Sequence, residues 1–463
     1  MDIQELGILN PWWRNKAAID TDRHISRYEG FSFRFYPENL RKQINLNEFG
    51  IYTLRGPRQV GKTTFLKLLI RELLYKNVKP NNILFLNAEG LSDKKDLLNI
   101  LTEYLTLYST EEEMNYIFVD EITSILEWQL SIKYLVDTGY LDNCVVILTG
   151  SSAIDLKYSS ERLPGRKGKG KDLVMFPLSF RNYLSTSEQE IPKFSVPEIM
   201  NLSENESKKL SIDLAFLQKE FQKYLFSGGF PLSINDFLLY GKISDETIQT
   251  YTDFMLGEIS KHTEKMNMLQ LLKKLPDIIA QRFSWNSLLE YVSGPESVET
   301  VKKYFENLSY SFVLSILYFY DFSKNRIKPK KQKKIFPIDP IIFEIINSHS
   351  SKTIDESKRV EAVVLRHLIS FRSLNTGLNL IDGPYYWYSG KGKEIDFLYV
   401  NEGSSIPIEV KYQKSINSSD YITMKRVFGK GIILTKNDLF KDDGIIGLPV
   451  WLFCAIRDFH ENK

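Results

Sequence analysis

One short segment near the N-terminus constrains the fold of this chain more than any other feature. Residues 56–64 read GPRQVGKTT, after a short apolar run and before a helical pattern. This spacing of glycine, lysine and threonine is typical of a phosphate-binding loop, in which backbone amides surround the phosphates and a helix N-terminus adds its positive dipole end. The segment therefore predicts a nucleotide site on a parallel α/β sheet.

The residue types of this loop match those that hold ATP and Mg²⁺. Lys62 would reach the β- and γ-phosphates, and the Thr63 hydroxyl would be a metal ligand. We expect nucleotide contacts from the whole loop, namely Gly56, Pro57, Arg58, Gln59, Val60, Gly61, Lys62, Thr63 and Thr64. The predicted cofactors are ATP and Mg²⁺.

A second apolar run, YIFVDE, ends in the acidic residues Asp120 and Glu121. Asp120 would complete the metal shell, and Glu121 would orient or deprotonate the attacking water. The next strand-like run ends in TGSS, where Thr149 or Ser151 would contact the γ-phosphate or the water. Capping of the following helix is the alternative role for these hydroxyls.

An arginine-containing segment, RLPGRKGKGK, follows these strands. We assign Arg166 to the stabilisation of charge at the γ-phosphate, with Arg162 as its competitor. A basic loop without a nucleotide role is the alternative. Lysines in the same segment would meet the nucleotide of a neighbouring subunit if the chain forms a homo-oligomer.

The order of apolar runs predicts an α/β core. Continuous apolar strands are expected where helices cover both faces of a parallel sheet. Predicted core strands are IYTLRG, ILFLN, YIFVDE, VVILTGSS and LVMFPLS. We expect three domains: a P-loop core with an N-terminal lead-in over 1–190, a helical and winged-helix region over 205–345, and an α/β domain over 350–463. Residues 186–210 are polar and are interpreted as a loop or linker.

The middle region has the element order of a winged helix-turn-helix. Helical patterns cover 268–280, 284–292 and 297–308, and two strand-like runs then flank a basic segment. This basic loop, 326–334, is predicted to be a wing that contacts the phosphate backbone of DNA. A solvated surface loop is the alternative.

The last region has a helix followed by the strand-like runs YYWYSG, EIDFLYV, SIPIEVKY, GIILT and VWLFC. Asp396, Glu409 and Lys411 form a D…ExK pattern, and residues two apart on a strand share a face. Two such carboxylates would bind Mg²⁺ and Lys411 would orient or deprotonate water. Glu361 on the preceding helix would add another acidic ligand. We leave two roles open for this site, metal-dependent DNA cleavage and binding alone.

Composition excludes several other classes of protein. The chain has 463 residues, two cysteines, five scattered histidines and a net charge of +2. Two distant cysteines make neither a disulfide framework nor a zinc site. The start lacks the pattern of a signal peptide, and the apolar runs are too short to span a bilayer. We expect a cytoplasmic protein with no membrane partner.

Several motifs together resemble a prokaryotic, often archaeal, family of AAA+-type ATPases near the STAND signalling ATPases. The motifs are NPWW, GPRQVGKTT, YIFVDE, LTGSSA, LPGR, FPLSFRNYL and GGFP. The resemblance implies a restriction-endonuclease-like C-terminal domain with a PD-(D/E)xK site. By the same analogy Pro231, in GGFP, would approach the adenine or ribose, although its local sequence alone indicates only a turn between helices.

These observations lead to alternative functional hypotheses. The first is ATP hydrolysis coupled to DNA binding or processing, with an endonuclease in the C-terminal domain. The second is a STAND-type switch with a non-cleaving C-terminal binding module. A third is an ATP-driven remodeller of protein complexes. DNA-stimulated ATPase activity would favour the first, and slow turnover without DNA binding the second.

Overall fold

The computed structural model describes residues 3–108, 113–150, 156, 163–186, 190–260, 265–291, 297–369, 379–380, 382–401 and 403–458. The chain divides into two compact units, Met1–Phe176 and Pro177–Lys463. Within the described residues, no helix combines the length and the hydropathy that crossing a membrane requires.

The first unit is built on a five-stranded parallel sheet with the order β2-β3-β4-β1-β5. Its strands are β1 Gly50–Arg55, β2 Ile83–Asn87, β3 Asn115–Asp120, β4 Cys144–Thr149 and β5 Asp172–Val174. The predicted parallel core is confirmed. The fifth strand is shorter than the predicted LVMFPLS run, whose last three residues, Pro177–Ser179, belong to the second unit.

Helices cover both faces of this sheet. They are α1 Ile3–Leu9, α2 Arg23–Gly30, α3 Glu38–Arg41, α4 Lys62–Tyr75, α5 Lys94–Tyr108 and α6 Trp128–Asp137. One face packs on α5 and α6, and the opposite face packs on α4 and the N-terminal lead-in. The three inner strands, β1, β3 and β4, are buried throughout, which explains their continuous apolar sequences.

The N-terminal lead-in covers the open edge of the sheet. The Asn10 carboxamide donates to Phe85 O and accepts from Phe85 N, and the indole N–H groups of Trp12 and Trp13 both donate to Ile83 O. Strand β2 is an edge strand, so its outward backbone groups lack a neighbouring strand. The NPWW motif therefore pairs an edge that is otherwise open.

The second unit begins with short helices and continues as a helical array. These helices are α7 Phe180–Tyr183, α8 Val196–Asn201, α9 Glu204–Asp213, α10 Leu217–Ser227, α11 Pro231–Tyr240 and α12 Asp245–Ser260. The predicted loop over 186–210 is wrong in part, because α8 and most of α9 lie there. Ser195 with Glu198 and Ser203 with Glu206 form capping boxes that begin the two helices.

Three further helices precede an antiparallel strand pair. The elements are α13 Lys265–Ile278, α14 Trp285–Tyr291, α15 Val298–Tyr310, β6 Leu314–Tyr318, β7 Tyr320–Asp321, β8 Arg326–Ile327 and β9 Lys333–Pro337. Strand β9 pairs with β6 on one side and bridges to Ile279 and Phe283 on the other. Strand β10, Asn379–Leu380, pairs with the other edge of β6.

The predicted basic loop over 326–334 is corrected at its C-terminal end. Lys333 and Lys334 lie in β9 and are buried, whereas Arg326, Lys330 and Lys331 are exposed. The physical reason is pairing: the backbone groups of Lys333 bond to Phe283, which turns this part of the run into an inner strand. The two buried lysines are therefore not available to phosphates.

The last part of the chain is a six-stranded mixed sheet with the order β11-β12-β13-β14-β16-β15. Its elements are α16 Pro340–His349, α17 Glu356–Leu368, β11 Tyr385–Tyr388, β12 Glu394–Asn401, β13 Ser404–Lys411, α18 Ile422–Phe428, β14 Gly431–Thr435, β15 Phe440–Asp442, β16 Ile445–Pro449 and α19 Val450–Ile456. The predicted strand VWLFC is wrong, since this run is α19, which is buried on every side. A short apolar run fits either a buried strand or a buried helix.

Candidate nucleotide site and C-terminal acidic cluster

The loop between β1 and α4 contains three residues with positive φ, two of which are glycines. Gly56, Gln59 and Gly61 have φ values of 156°, 62° and 103°. A Cβ on Gly56 would lie 2.2 Å from the carbonyl oxygen of Met175, so glycine is required there by close approach as well as by conformation. No side chain caps the N-terminus of α4 at Gly61.

The ammonium of Lys62 is held inside this loop. It donates to Gly56 O at 2.9 Å and to Pro57 O at 3.0 Å, and the residue is 6% exposed. A cation within the curve of the loop, next to a helix N-terminus, makes this concavity suited to an anion. The remaining predicted loop contacts, Arg58, Val60 and Thr64, lie in the loop or in the first turn of α4.

Asp120 connects three elements, namely the end of β3, the end of β4 and the start of α4. The Thr63 hydroxyl donates to its Oδ2 at 2.7 Å, and the Thr149 hydroxyl donates to its Oδ1. The backbone N–H of Glu121 in turn donates to Thr149 Oγ1 at 3.2 Å. Strand β4 lies between β1 and β3, so its last residue, Thr149, lies between the loop that follows β1 and the acidic residues that end β3. Ser151, the other predicted contact, lies outside the described residues.

Two other predicted nucleotide contacts have different surroundings. Arg166 forms a two-pronged ion pair with Asp137 at the end of α6, with Nε–Oδ1 and Nη2–Oδ2 distances of 2.6 and 3.1 Å. Its role at a γ-phosphate stays a prediction, and Arg162 lies outside the described residues. Pro231 is the first residue of α11 in the second unit, and its predicted contact with the nucleotide also stays a prediction.

In the C-terminal sheet, a hairpin brings the D…ExK residues together. Strands β12 and β13 pair antiparallel from Asn401 with Ser404 to Phe397 with Ile408. Beyond this register, Asp396 Oδ2 accepts from the backbone N–H of Val410 at 3.0 Å. Lys411 Nζ lies 2.6 Å from Glu409 Oε1.

A lysine outside the predicted pattern lies at the centre of these acids. Lys334 Nζ is 2.6 Å from Glu394 Oε1, 3.5 Å from Asp396 Oδ1 and 3.8 Å from Glu361 Oε2. Helix α17 supplies Glu361 and β12 supplies the other two. We call Lys334, Glu361, Glu394, Asp396 and Glu409 the acidic cluster.

Burial and like charge act on the acids of this cluster. Burial, followed by the Asp396 carboxylate, raises the pKa of Glu361, and the same two causes raise the pKa of Glu409. Burial opposes the charge of Lys334, but Asp396, Glu361 and Glu394 together raise its pKa above the ordinary value. The lysine is therefore charged at neutral pH and compensates the acids around it.

The cluster does not have the geometry of a metal centre. Across the part of the chain that the structure describes, no group of three or more His, Cys, Asp or Glu side chains is placed to hold a metal ion. Mg²⁺ requires oxygens at about 2.0–2.1 Å in near-octahedral geometry. Here the ammonium of Lys334 lies among the carboxylates of Glu361, Glu394 and Asp396, and Glu409 pairs with Lys411. The predicted metal ligands Glu361, Asp396 and Glu409 therefore do not fit a bound divalent cation as they stand.

Comparison with known proteins finds three matching family models. Residues 48–184 match the family described as AAA domain. This match supports a P-loop ATPase-like domain over these residues. Two further matches are to domains of unknown function, DUF8612 over residues 218–351 and DUF4143 over residues 357–453. The ATPase domain is therefore followed by regions whose family descriptions state no activity.

A curated relative covers most of the chain. It is the uncharacterized protein MJ1544 of Methanocaldococcus jannaschii, 24% identical over 382 residues, which span 80% of this chain and 76% of that protein. Among solved structures, the Walker-type ATPase PABY2304 of Pyrococcus abyssi is 14% identical, with a TM-score of 0.41 over 68% of this chain and 96% of its own. The Aeropyrum pernix ORC1 protein in complex with DNA is 12% identical, with a TM-score of 0.33 over 76% of this chain and 96% of its own.

The site of the ATPase domain fits Mg²⁺ and ATP. Lys62 and the amides at the start of α4 would contact phosphate oxygens, while the Thr63 hydroxyl and the Asp120 carboxylate place two oxygen atoms 2.7 Å apart. Hard cations such as Mg²⁺ take oxygen ligands of this kind. Glu121 follows Asp120 with a left-handed backbone (φ 54°), held by the hydrogen bond of its N–H to Thr149.

Sequence reasoning did not predict the contact between two motifs of the second unit. Leu178, in FPLSFRNYL, donates its N–H to Gly229 O at 2.8 Å, and Gly229 donates its N–H to Asp339 Oδ2 at 2.7 Å. The close approach explains the glycine, since a Cβ at Gly229 would lie 2.0 Å from Leu178 O. The GGFP sequence itself was the signal, because paired glycines mark close backbone contact.

Proposed function

We propose that this protein binds and hydrolyses ATP with Mg²⁺ and couples the nucleotide state to DNA binding by its second unit. The observation that carries the ATPase part is the Asp120 carboxylate, which is bonded to the hydroxyls of Thr63 and Thr149 on its two oxygens. A structural aspartate in a solvated turn would not need both a loop threonine and a residue of a neighbouring strand.

The chain's own residues account for most of the proposed mechanism. Lys62 would exchange the carbonyls of Gly56 and Pro57 for phosphate oxygens, and the start of α4 would add its dipole. Bound Mg²⁺ would neutralise charge that develops on the phosphates. Glu121 would accept the proton of the attacking water, with its position set by the hydroxyl of Thr149. Arg166 would add positive charge if it leaves Asp137.

ATP binding and hydrolysis by the full-length protein test this proposal. We expect Lys62→Ala to weaken ATP binding, whereas Glu121→Gln retains binding and loses hydrolysis by about 10²-fold or more. Lys95→Ala, an exposed lysine on α5, is the matched control and should behave as the wild type. Equal ATP affinity of the wild type and Lys62→Ala would refute a nucleotide site at this loop.

The DNA part of the proposal is supported by the order of elements and by exposed charge. Helices α13, α14 and α15 and the β6–β9 pair follow the order of a winged helix, and the segment before β9 is its wing. Arg326, Lys330 and Lys331 are exposed there, while Lys328 is paired with Asp321. Exposed cations of a wing neutralise phosphates and release counterions.

Fluorescence anisotropy with duplex, single-stranded, forked and four-way DNA tests this part. We expect salt-sensitive binding, and the double variant Lys330→Glu/Lys331→Glu should weaken it and lower the slope of log K against log salt by roughly 2. Lys208→Glu/Lys209→Glu on α9 is the charge-matched control. An absence of DNA binding, or equal losses in both double variants, would refute the wing.

The acidic cluster favours the second candidate for the C-terminal domain, a non-cleaving module of a STAND-type switch. The mixed sheet, α17 and the Asp396, Glu409 and Lys411 side chains support a restriction-endonuclease-like fold. Lys334, however, lies among the carboxylates and compensates their charge, as a bound metal ion would do in a nuclease. A cleavage assay with Mg²⁺ or Mn²⁺, with and without ATP, separates the two candidates. Cleavage that is lost in both Asp396→Ala and Lys411→Ala would restore the nuclease, and uncut DNA supports the module.

A further inference from the structure

The amine of Lys334 is fixed among carboxylates by the strand that carries it. Lys334 lies in β9, where it pairs with Leu317 of β6. On the other side of β9, the backbone of Lys333 exchanges two hydrogen bonds with Phe283. The side chain of Lys334 is 2% exposed. It projects into the cluster from a strand that is paired along both edges, and this pairing fixes the position of its amine.

The charges around the cluster are almost balanced by side chains. Glu394 lies between two cations, with Lys334 Nζ at 2.6 Å from one oxygen and Arg282 Nε at 3.0 Å from the other. Lys411 compensates Glu409 at 2.6 Å. A divalent cation that entered the cluster would meet Lys334 within a few ångströms in a buried place, where like charges repel strongly.

We infer that Lys334 replaces the divalent cation in this acidic cluster. Its ammonium is the built-in counter-ion of Glu361, Glu394 and Asp396, and it holds the β6–β9 strands to the C-terminal sheet. The cluster therefore takes up a divalent cation only when the amine is removed. This inference concerns the second unit and does not depend on the ATPase proposal.

Mn²⁺ binding to the full-length protein tests the inference. All proteins carry Asp120→Asn, so that the nucleotide site contributes no metal ligand at that position. The parent is compared with Lys334→Gln and with Lys242→Gln, an exposed lysine that follows α11, by titration of the free Mn²⁺ signal in electron paramagnetic resonance. We expect Lys334→Gln to bind Mn²⁺ at least tenfold more tightly than the parent, and Lys242→Gln to match the parent. Asp396→Asn added to Lys334→Gln should abolish the gain.

Two outcomes would overturn the inference. One is tight Mn²⁺ binding by the parent that Asp396→Asn removes. The other is a folded Lys334→Gln protein with no gain in Mn²⁺ affinity. If Lys334→Gln does not fold, Lys334→Gln/Glu394→Gln removes one carboxylate together with the cation, and the same comparison is made on that protein. Mn²⁺ should then raise its melting temperature and leave that of the parent unchanged.

Discussion

The side chain of Asn10 pairs with both backbone groups of Phe85, 75 residues away. Asn10 Nδ2 lies 2.9 Å from Phe85 O, and Phe85 N lies 2.6 Å from Asn10 Oδ1. A carboxamide has the same donor and acceptor as a peptide group, so one side chain continues the sheet where β2 has no neighbouring strand. The lead-in is therefore part of the sheet of the first unit.

Removal of this carboxamide should destabilise the ATPase domain. In Asn10→Ala, the N–H and the carbonyl of Phe85 would stay buried without partners, at about 1–3 kcal/mol each. We expect a loss of about 2–6 kcal/mol in the free energy of unfolding, measured by denaturant titration. Asn39→Ala, on the exposed side of α3, is the control and should change it by less than about 0.5 kcal/mol. Equal losses would contradict the edge role.

The hydroxyl of Thr149 should matter for hydrolysis more than for folding. Thr149→Val keeps the shape but removes the bond to Asp120 and the acceptor for the N–H of Glu121. A hydrogen bond to a charged group contributes about 1.5–3 kcal/mol, which corresponds to roughly 10- to 150-fold in rate. We expect a loss of this size in ATP turnover, with Thr138→Val as control. An unchanged turnover number would exclude Thr149 from the site.

The contact between Leu178 and Gly229 should not tolerate a side chain. In Gly229→Ala the new Cβ would lie 2.0 Å from Leu178 O, which is backbone and cannot rotate away. We expect at least about 3 kcal/mol of destabilisation in thermal or denaturant unfolding. Gly257→Ala is the matched control, since a Cβ there meets open space in α12 and should stabilise the helix by up to about 1 kcal/mol. A mild effect at Gly229 would show that the motifs separate easily.

The stability of the second unit should fall in acid through His367. Its ring accepts from the N–H of Phe180 at 3.1 Å and its Nδ1–H donates to Val363 O at 2.7 Å. Burial, opposed by the Val363 carbonyl and assisted by Arg366, Arg457 and Arg181, lowers the pKa of His367 to about 3. The unfolded chain binds a proton near pH 6.5 and the folded one does not, so stability is present above pH 6.5 and is lost as pH falls toward 3.

The size of this effect is measurable with a variant. At pH 4.5 the uptake of this single proton by the unfolded chain lowers the free energy of unfolding by about 2–3 kcal/mol. Asn at this position keeps the donor to Val363 but does not titrate. We therefore expect urea unfolding of His367→Asn to depend less on pH between 7 and 4.5 than that of the wild type. Parallel pH dependences would show that the proton is taken up elsewhere.

The two sites differ in how far sequence could predict them. The strand, loop and helix over residues 50–75 follow from the sequence, because they are contiguous and local residue types set the backbone of the loop. The individual nucleotide contacts stay predictions. The place of Thr149 depended on the strand order, which no local pattern encodes. The beginnings of α8 and α9 were encoded in Ser195 with Glu198 and in Ser203 with Glu206, but the polar composition around them favoured a loop.

Sequence alone determined the strand, loop and helix around Lys62, the strand that ends in Asp120, the individual apolar strands of the core and the D…ExK hairpin, because each follows from residue types within a short segment of the chain. Tertiary structure decided the role of Lys334. In sequence it belongs to a run of cations that is typical of a solvated wing, but β9 buries it among carboxylates that lie 27 to 62 positions further along the chain. Burial removes the water that would otherwise screen these charges, so long-range pairing rather than local composition sets what the residue does.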